Sequence, residues 1–133
     1  MSDGHAYLLD ANTLIALVVA DHEHHALAAR WATGVGGIAL CPIVEGALVR
    51  FLVRAGEGQA SALAVLSALY RSPRCHFWAD ALSYEAVELG HVVGHRQVTD
   101  AYLAALAQSR GGRLATFDRA LAEALPDAAE LIR

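Results

Sequence analysis

Apolar residues in this chain fall into two patterns. Short unbroken runs, Tyr7-Leu8-Leu9, Ile38-Ala39-Leu40-Cys41, Cys75-His76-Phe77-Trp78 and Arg113-Leu114-Ala115-Thr116-Phe117, alternate with longer stretches in which apolar side chains recur every three to four positions. The runs are short and carry little polar alternation, which predicts strands buried on both faces. The longer stretches predict helices. One follows Asp10 directly, through Ala11 to Leu17, and a second covers Ala26 to Ala32 with Asp21 as its expected N-cap. Ile43 to Arg54 is a helix presenting Val44, Leu48, Phe51 and Leu52 on one face, and Gln59 to Tyr70 another, with Leu63, Leu66 and Leu69 spaced for packing. Ser83 caps a predicted helix to about Val93, and Thr99 caps one to about Ser109, placing Asp100 in its first turn. Arg119 to Leu125 is a short helix, and Glu130-Leu131-Ile132 a short fifth strand. Pro42, Pro126 and glycines at 34, 36, 37, 56, 58, 111 and 112 punctuate the elements. Strands alternating with helices imply a mainly parallel sheet with helices on both faces, in one domain over residues 1–133.

Composition narrows the class. Hydrophobic residues make up 56% and charged residues 18%, ample for a core. No apolar run reaches the roughly 18 residues of a membrane span. Met1-Ser2-Asp3-Gly4-His5 has no basic segment leading into an apolar one, so the expected location is cytoplasmic. Cys41 and Cys75 stand alone beside apolar runs, as buried thiols do. The formal net charge of −4 argues against a broad basic face, although a local patch or a bound metal can reverse the field locally. Every basic residue is arginine, a feature that composition bias explains, since alanine is also abundant. The histidines of Asp21-His22-Glu23-His24-His25 read as a solvated helix start, because neighbouring residues of a helix point to different sides. Thr33-Gly34-Val35-Gly36-Gly37 precedes a strand instead of following one, which excludes a dinucleotide-binding turn.

The acids carry the chemistry. Asp10 ends the first strand, Asp118 follows the fourth, Glu45 lies in the first turn after the second, and Asp100 opens the helix leading to the fourth. In open α/β sheets ligands bind beyond the carboxyl ends of the strands. If the strands run 3-2-1-4-5, Asp10 and Asp118 flank the switch point. Each acid alone has a structural explanation as a cap or a first-turn residue. Gathered together they would repel one another, and a hard divalent cation with oxygen ligands relieves that repulsion.

Leu8-Leu9-Asp10-Ala11-Asn12, Cys41-Pro42-Ile43-Val44-Glu45, Val98-Thr99-Asp100-Ala101-Tyr102-Leu103 and Leu114-Ala115-Thr116-Phe117-Asp118 resemble, in order, the four acidic motifs of PIN-domain ribonucleases. The likeness is to the VapC-type toxins of bacterial toxin–antitoxin pairs and covers nearly the whole chain. It implies a three-layer α/β/α PIN-like fold, with a mainly parallel sheet of four to five strands ordered 3-2-1-4-5. It further implies a Mg²⁺- or Mn²⁺-dependent endoribonuclease that dimerises and is neutralised by a cognate VapB-type antitoxin. Asp10, Glu45, Asp100 and Asp118 match the catalytic acids, with Asp10, Asp100 and Asp118 expected on the metal and Glu45 on the metal or the attacking water. Asn12 and Thr116 match polar positions that support those acids, and Arg96 and Arg119 are candidate RNA contacts. Two rivals remain at this stage. One is a noncatalytic PIN-like module that binds RNA or protein. The other is a haloacid-dehalogenase-like phosphatase, whose motif needs an acid and a threonine where this chain has Asn12 and Leu14.

Overall fold

A computed structural model describes residues 6–133; the reading of the first five residues lies outside it. Five parallel strands form one sheet in the order β3-β2-β1-β4-β5. They are β1 (Ala6–Leu9), β2 (Gly37–Leu40), β3 (Cys75–Phe77), β4 (Arg113–Thr116) and β5 (Ala129–Leu131). The helices are α1 (Ala11–Val18), α2 (His25–Thr33), α3 (Pro42–Arg54), α4 (Gln59–Tyr70), α5 (Gln97–Ser109) and α6 (Arg119–Ala124). β1 lies at the centre because Leu8 and Leu9, pointing to opposite faces, are both fully buried. It pairs with β2 through Tyr7 and Ile38 and with β4 through Leu9 and Ala115. The chain therefore winds from β1 outward to β3, then crosses back to β4. Right-handed crossovers put the helices of the outward path on one face and α5 on the other. In keeping with this, α1 packs on α2 and α3 and α3 on α4, whereas α5 packs on β4 and β1.

The turn from α5 into β4 depends on glycine. Gly111 takes a φ of 78°, and a β-carbon on Gly112 would lie 2.6 Å from the Ala6 carbonyl oxygen. This close approach seats the start of β4 beside β1. Cys41 and Cys75 are buried free thiols, as expected.

Several local expectations fail for identifiable reasons. Residues 83–93 do not form a helix. Ser83 does act as a cap, accepting from the Glu85 N–H at 3.1 Å, but only a 3-10 turn at Tyr84–Ala86 follows. Gly90 interrupts the stretch, and the Glu88 carboxylate takes its N–H at 2.7 Å, a local bond that competes with the helix. Helix α5 begins at Gln97, not after Thr99, because the Gln97 side chain accepts from the N–H groups of Val93 and Gly94 and ties down the approaching chain. His24, not Asp21, occupies the N-cap position of α2, and its side chain makes no capping bond. Phe51 and Leu63 have the right periodicity for the core yet remain 38% and 56% exposed. The period shows that a helix has an apolar side; it does not show that another element covers all of it.

Candidate active site

Asp10 lies one residue beyond β1, and its backbone N–H still reaches the Ala115 carbonyl at 3.3 Å. The side chain is the N-cap of α1. Its Oδ1 accepts from the Thr13 N–H at 2.8 Å, and its Oδ2 accepts from the Thr116 hydroxyl at 2.6 Å. Thr13 is held in turn, its hydroxyl donating to the Ala115 carbonyl at 3.2 Å. The Thr116 hydroxyl also accepts from the Asp118 N–H at 3.0 Å. Asp118 caps α6 by accepting from the Leu121 N–H at 3.1 Å. One buried threonine hydroxyl thus links two acids that are far apart in sequence. Among the described residues the buried polar side chains are Asp10, Thr13 and Thr116.

Asp100, in the first turn of α5, completes the group. Asp10, Asp100 and Asp118 line one open cavity of about 420 Å³ with Ala11, Asn12, His24 and Phe117. Their crowding shows in their proton affinities. Burial pushes the Asp10 carboxyl above the usual carboxylate range, more strongly than the donors from Thr116 and Thr13 pull it down, and the charge on Asp118 adds to the rise. Asp100 is pushed up to about 6, first by burial and then by the charges of Asp10 and Asp118.

Glu45 reaches the same edge of the sheet but turns elsewhere. Its carboxylate accepts from the Tyr70 hydroxyl and does not line the cavity of the three aspartates. Its charge is felt at Tyr70, whose phenol is pushed up by burial and by Glu45, and at Cys75, whose thiol is pushed up to about 11 by the same two causes. The structure therefore gathers three of the four predicted acids and sets the fourth beside them. Thr116 sits where the sequence put it, bonded to a predicted acid. Asn12 lines the cavity, exposed, and makes no side-chain hydrogen bond among the described residues. Arg96 is exposed at the N-cap position of α5. Arg119 is exposed and borders a separate cavity of about 620 Å³ with Trp31, Arg113 and Arg133.

Four residues of the site went unread in the sequence. Thr13 carried a signal, since an N-cap side chain bonds the N–H of the second or third helical residue, and Thr13 is third after Asp10. His24, Phe117 and Tyr70 carried none, because only long-range packing brings them in.

The donor set suits a hard cation. The three aspartates offer carboxylate oxygens. Among the described residues no three of His, Cys, Asp and Glu stand close enough to enclose an ion. A closed zinc cage would need such a set; Mg²⁺ commonly takes only one or two carboxylates and keeps several waters.

Comparison with known proteins gives consistent matches. The family model described as PIN domain matches residues 7–124. The chain is 57% identical over 126 residues to Ribonuclease VapC29 of Mycobacterium tuberculosis, a match covering 94% of this chain and 95% of the relative. It is 41% identical to Ribonuclease VapC39 of the same organism, covering 87% and 91%. Among solved structures, VapC20 of M. tuberculosis, described as a sarcin–ricin loop cleaving toxin, superposes with a TM-score of 0.66 at 22% identity, covering 89% of this chain and 94% of that one. VapBC2 of Rickettsia felis, bound to a DNA fragment from its promoter, gives 0.66 at 16% identity, covering 95% and 98%. These two likenesses concern the fold.

Proposed function

The chain belongs to the PIN-domain family, among the VapC ribonucleases, and from that membership we propose that it is the RNA-cleaving toxin of a toxin–antitoxin pair, acting as a divalent-metal-dependent endoribonuclease. The observation that carries the reading is the gathering of Asp10, Asp100 and Asp118 in one solvent-open cavity, with the Thr116 hydroxyl bonded to Asp10. Uncompensated, such a group is costly, because each carboxylate raises the proton affinity of the next. Perturbed carboxylates gathered in a cleft are a mark of a ligand site.

Asp10 and Asp100 would hold Mg²⁺ or Mn²⁺ directly, and Asp118 directly or through a water. When bound, the ion supplies positive charge for the phosphate and lowers the pKa of a coordinated water. The reaction is hydrolysis of a phosphodiester: a water oxygen bonds to phosphorus, one P–O ester bond breaks, and the departing alkoxide takes a proton. Thr116 and Thr13 hold the Asp10 carboxylate in one orientation, so little reorganisation accompanies the reaction. Glu45, fixed by Tyr70 outside the trio, has a secondary part and orients water at the margin of the site. Arg96 and Arg119, exposed at the starts of α5 and α6, are the candidate contacts for RNA phosphates in this reading.

A VapB-type antitoxin is the partner in this reading. A groove of about 540 Å³ lined by Ile15, Ala47 and Phe51, with Arg50 and Arg54 beside it, suits the apolar stripe of an amphipathic helix with acidic flanks. A basic side chain of the same antitoxin would neutralise the aspartates. A homodimer and a cytoplasmic location belong to the same reading. Exposed Leu63 and Phe77 offer apolar surface for self-association, and among the described residues no helix is long and apolar enough to cross a membrane.

The test is cleavage of defined RNAs by the purified chain with Mn²⁺, after chelation, and as Asp10→Asn and Asp100→Asn variants. Cleavage that needs the metal and falls to background in both variants is expected. Undiminished cleavage by either folded variant would overturn the assignment.

A further inference from the structure

Two aromatic rings line the acidic cavity. His24 and Phe117 stack with ring centroids 4.8 Å apart and planes inclined by 22°, and both line the cavity that holds Asp10, Asp100 and Asp118. The two rings come from segments 93 residues apart. Phe117 lies between Thr116, bonded to Asp10, and Asp118, whose N–H is bonded to Thr116, so its backbone is tied to the acids. The backbone N–H of His24 donates to His22 Nδ1 at 3.0 Å, and the His22 ring tilts against that of His24 at 5.8 Å. Neither ring of the stacked pair is buried: the His24 side chain is 42% exposed, and Phe117 is half-buried. Two aromatic rings stacked in water beside a charged cavity present a flat, sequence-tolerant surface of the kind on which unpaired bases pack. Phe117 directly precedes Asp118 and lines the same cavity as Asp10 and Asp100, so a phosphate held at the carboxylates brings its own nucleotide to the cavity that the rings line. The carboxamide of Asn12 borders the same cavity, carrying two donors and an acceptor for a base edge.

We propose that His24, Phe117 and Asn12 form a nucleobase subsite, in which the base next to the scissile phosphate packs against the His24–Phe117 rings and is read at its edge by Asn12. The proposal rests on the ribonuclease reading of the acids and adds to it a determinant of which nucleotide is accepted. It also requires single-stranded RNA at that position, because a base inside a duplex cannot reach a side-chain ring.

The experiment separates the two claims. Cleavage of RNA by the unaltered chain tests the ribonuclease reading. Binding is then measured on the full chain carrying Asp100→Asn, with short single-stranded RNAs holding 2-aminopurine at each position in turn. One position should change its emission on binding. Phe117→Leu, which keeps apolar volume, should abolish that change and weaken binding by about five- to a hundredfold. Phe117→Tyr should restore both. Asn12→Ala should leave the stacking signal and flatten the preference among bases. Thermal melts within a few degrees of the parent will show that the variants are folded. If folded Phe117→Leu binds as tightly as the parent and keeps the emission change, the rings serve packing alone and the subsite is refuted. An unaltered chain that cleaves RNA while no position reports stacking refutes the subsite and spares the ribonuclease. A chain that neither cleaves nor binds RNA refutes both.

Discussion

Thr116→Val replaces the hydroxyl at the centre of the site by a methyl group of nearly the same size. Thr116 is fully buried, so no water takes the place of the lost oxygen. Two bonds disappear: the donor to Asp10 Oδ2 at 2.6 Å and the acceptor for the Asp118 N–H at 3.0 Å. A bond to an ionised group contributes about 1.5–3 kcal/mol, and an N–H left without a partner costs roughly 1–3 kcal/mol when buried. The Asp118 N–H is only partly buried, which keeps the second contribution at the low end. The variant should therefore lose about 2–4 kcal/mol where Asp10 is ionised and metal is absent, near 8–16 °C in Tm for a domain of this size, on the order of 4 °C per kcal/mol. The loss depends on pH with a definite sign. The Thr116 hydroxyl lowers the proton affinity of Asp10 in the fold, so its stabilisation is present while Asp10 is ionised and fades as pH falls through the folded pKa. Urea unfolding of both proteins with chelator, over a series of pH values, measures this. A variant within about 0.5 kcal/mol of the parent throughout the series would show that the hydroxyl contributes nothing. A loss that does not change with pH would show that it does not act on an ionised carboxylate.

Asp100 gives the opposite sign. Its folded pKa of about 6 lies above the ordinary carboxylate value of 3.8, so its contribution favours folding below 3.8 and is lost as pH rises through 6. The shift corresponds to about 3 kcal/mol, reduced to about 1–2 kcal/mol because the group is partly exposed. Asp100→Asn should stabilise the metal-free protein by that amount at pH 8 and not at pH 4, while cutting the gain from Mn²⁺, which in the parent is about 2.7 kcal/mol at a hundred times Kd; thermal melts with and without chelator decide it. Glu45→Gln should reduce cleavage less than Asp10→Asn does, because the Glu45 carboxylate is bonded to Tyr70 outside the trio. Tyr70→Phe should reproduce the Glu45→Gln defect if the bond positions the acid, and kinetics on one RNA with all three variants test the order.

Local patterning along the chain marks which segments are strands, where helices α1, α2, α3, α4 and α6 lie to within a residue or two, and that an acid stands beyond the end of β1 and of β4. These are local facts. An unbroken apolar run fits a strand buried on both sides, and a carboxylate at the handover to a helix finds an N–H three residues on, as Asp10 finds Thr13. What the tertiary structure decided is every partnership across the sheet. Asp10 and Thr116 are 106 residues apart, and only the parallel pairing of Leu9 with Ala115 carries the residues that follow them to the same edge at the same height. Glu45 matches the acidic pattern as well as the others do, yet the packing of α3 on α4 puts Tyr70 beside it and turns it away from the trio. His24 in its run of histidines reads as surface until the fold lays Phe117 against it. Periodicity and spacing are set along the chain within a few residues, whereas the charge around an acid and the ring beside it are set by strand register, which local sequence does not contain.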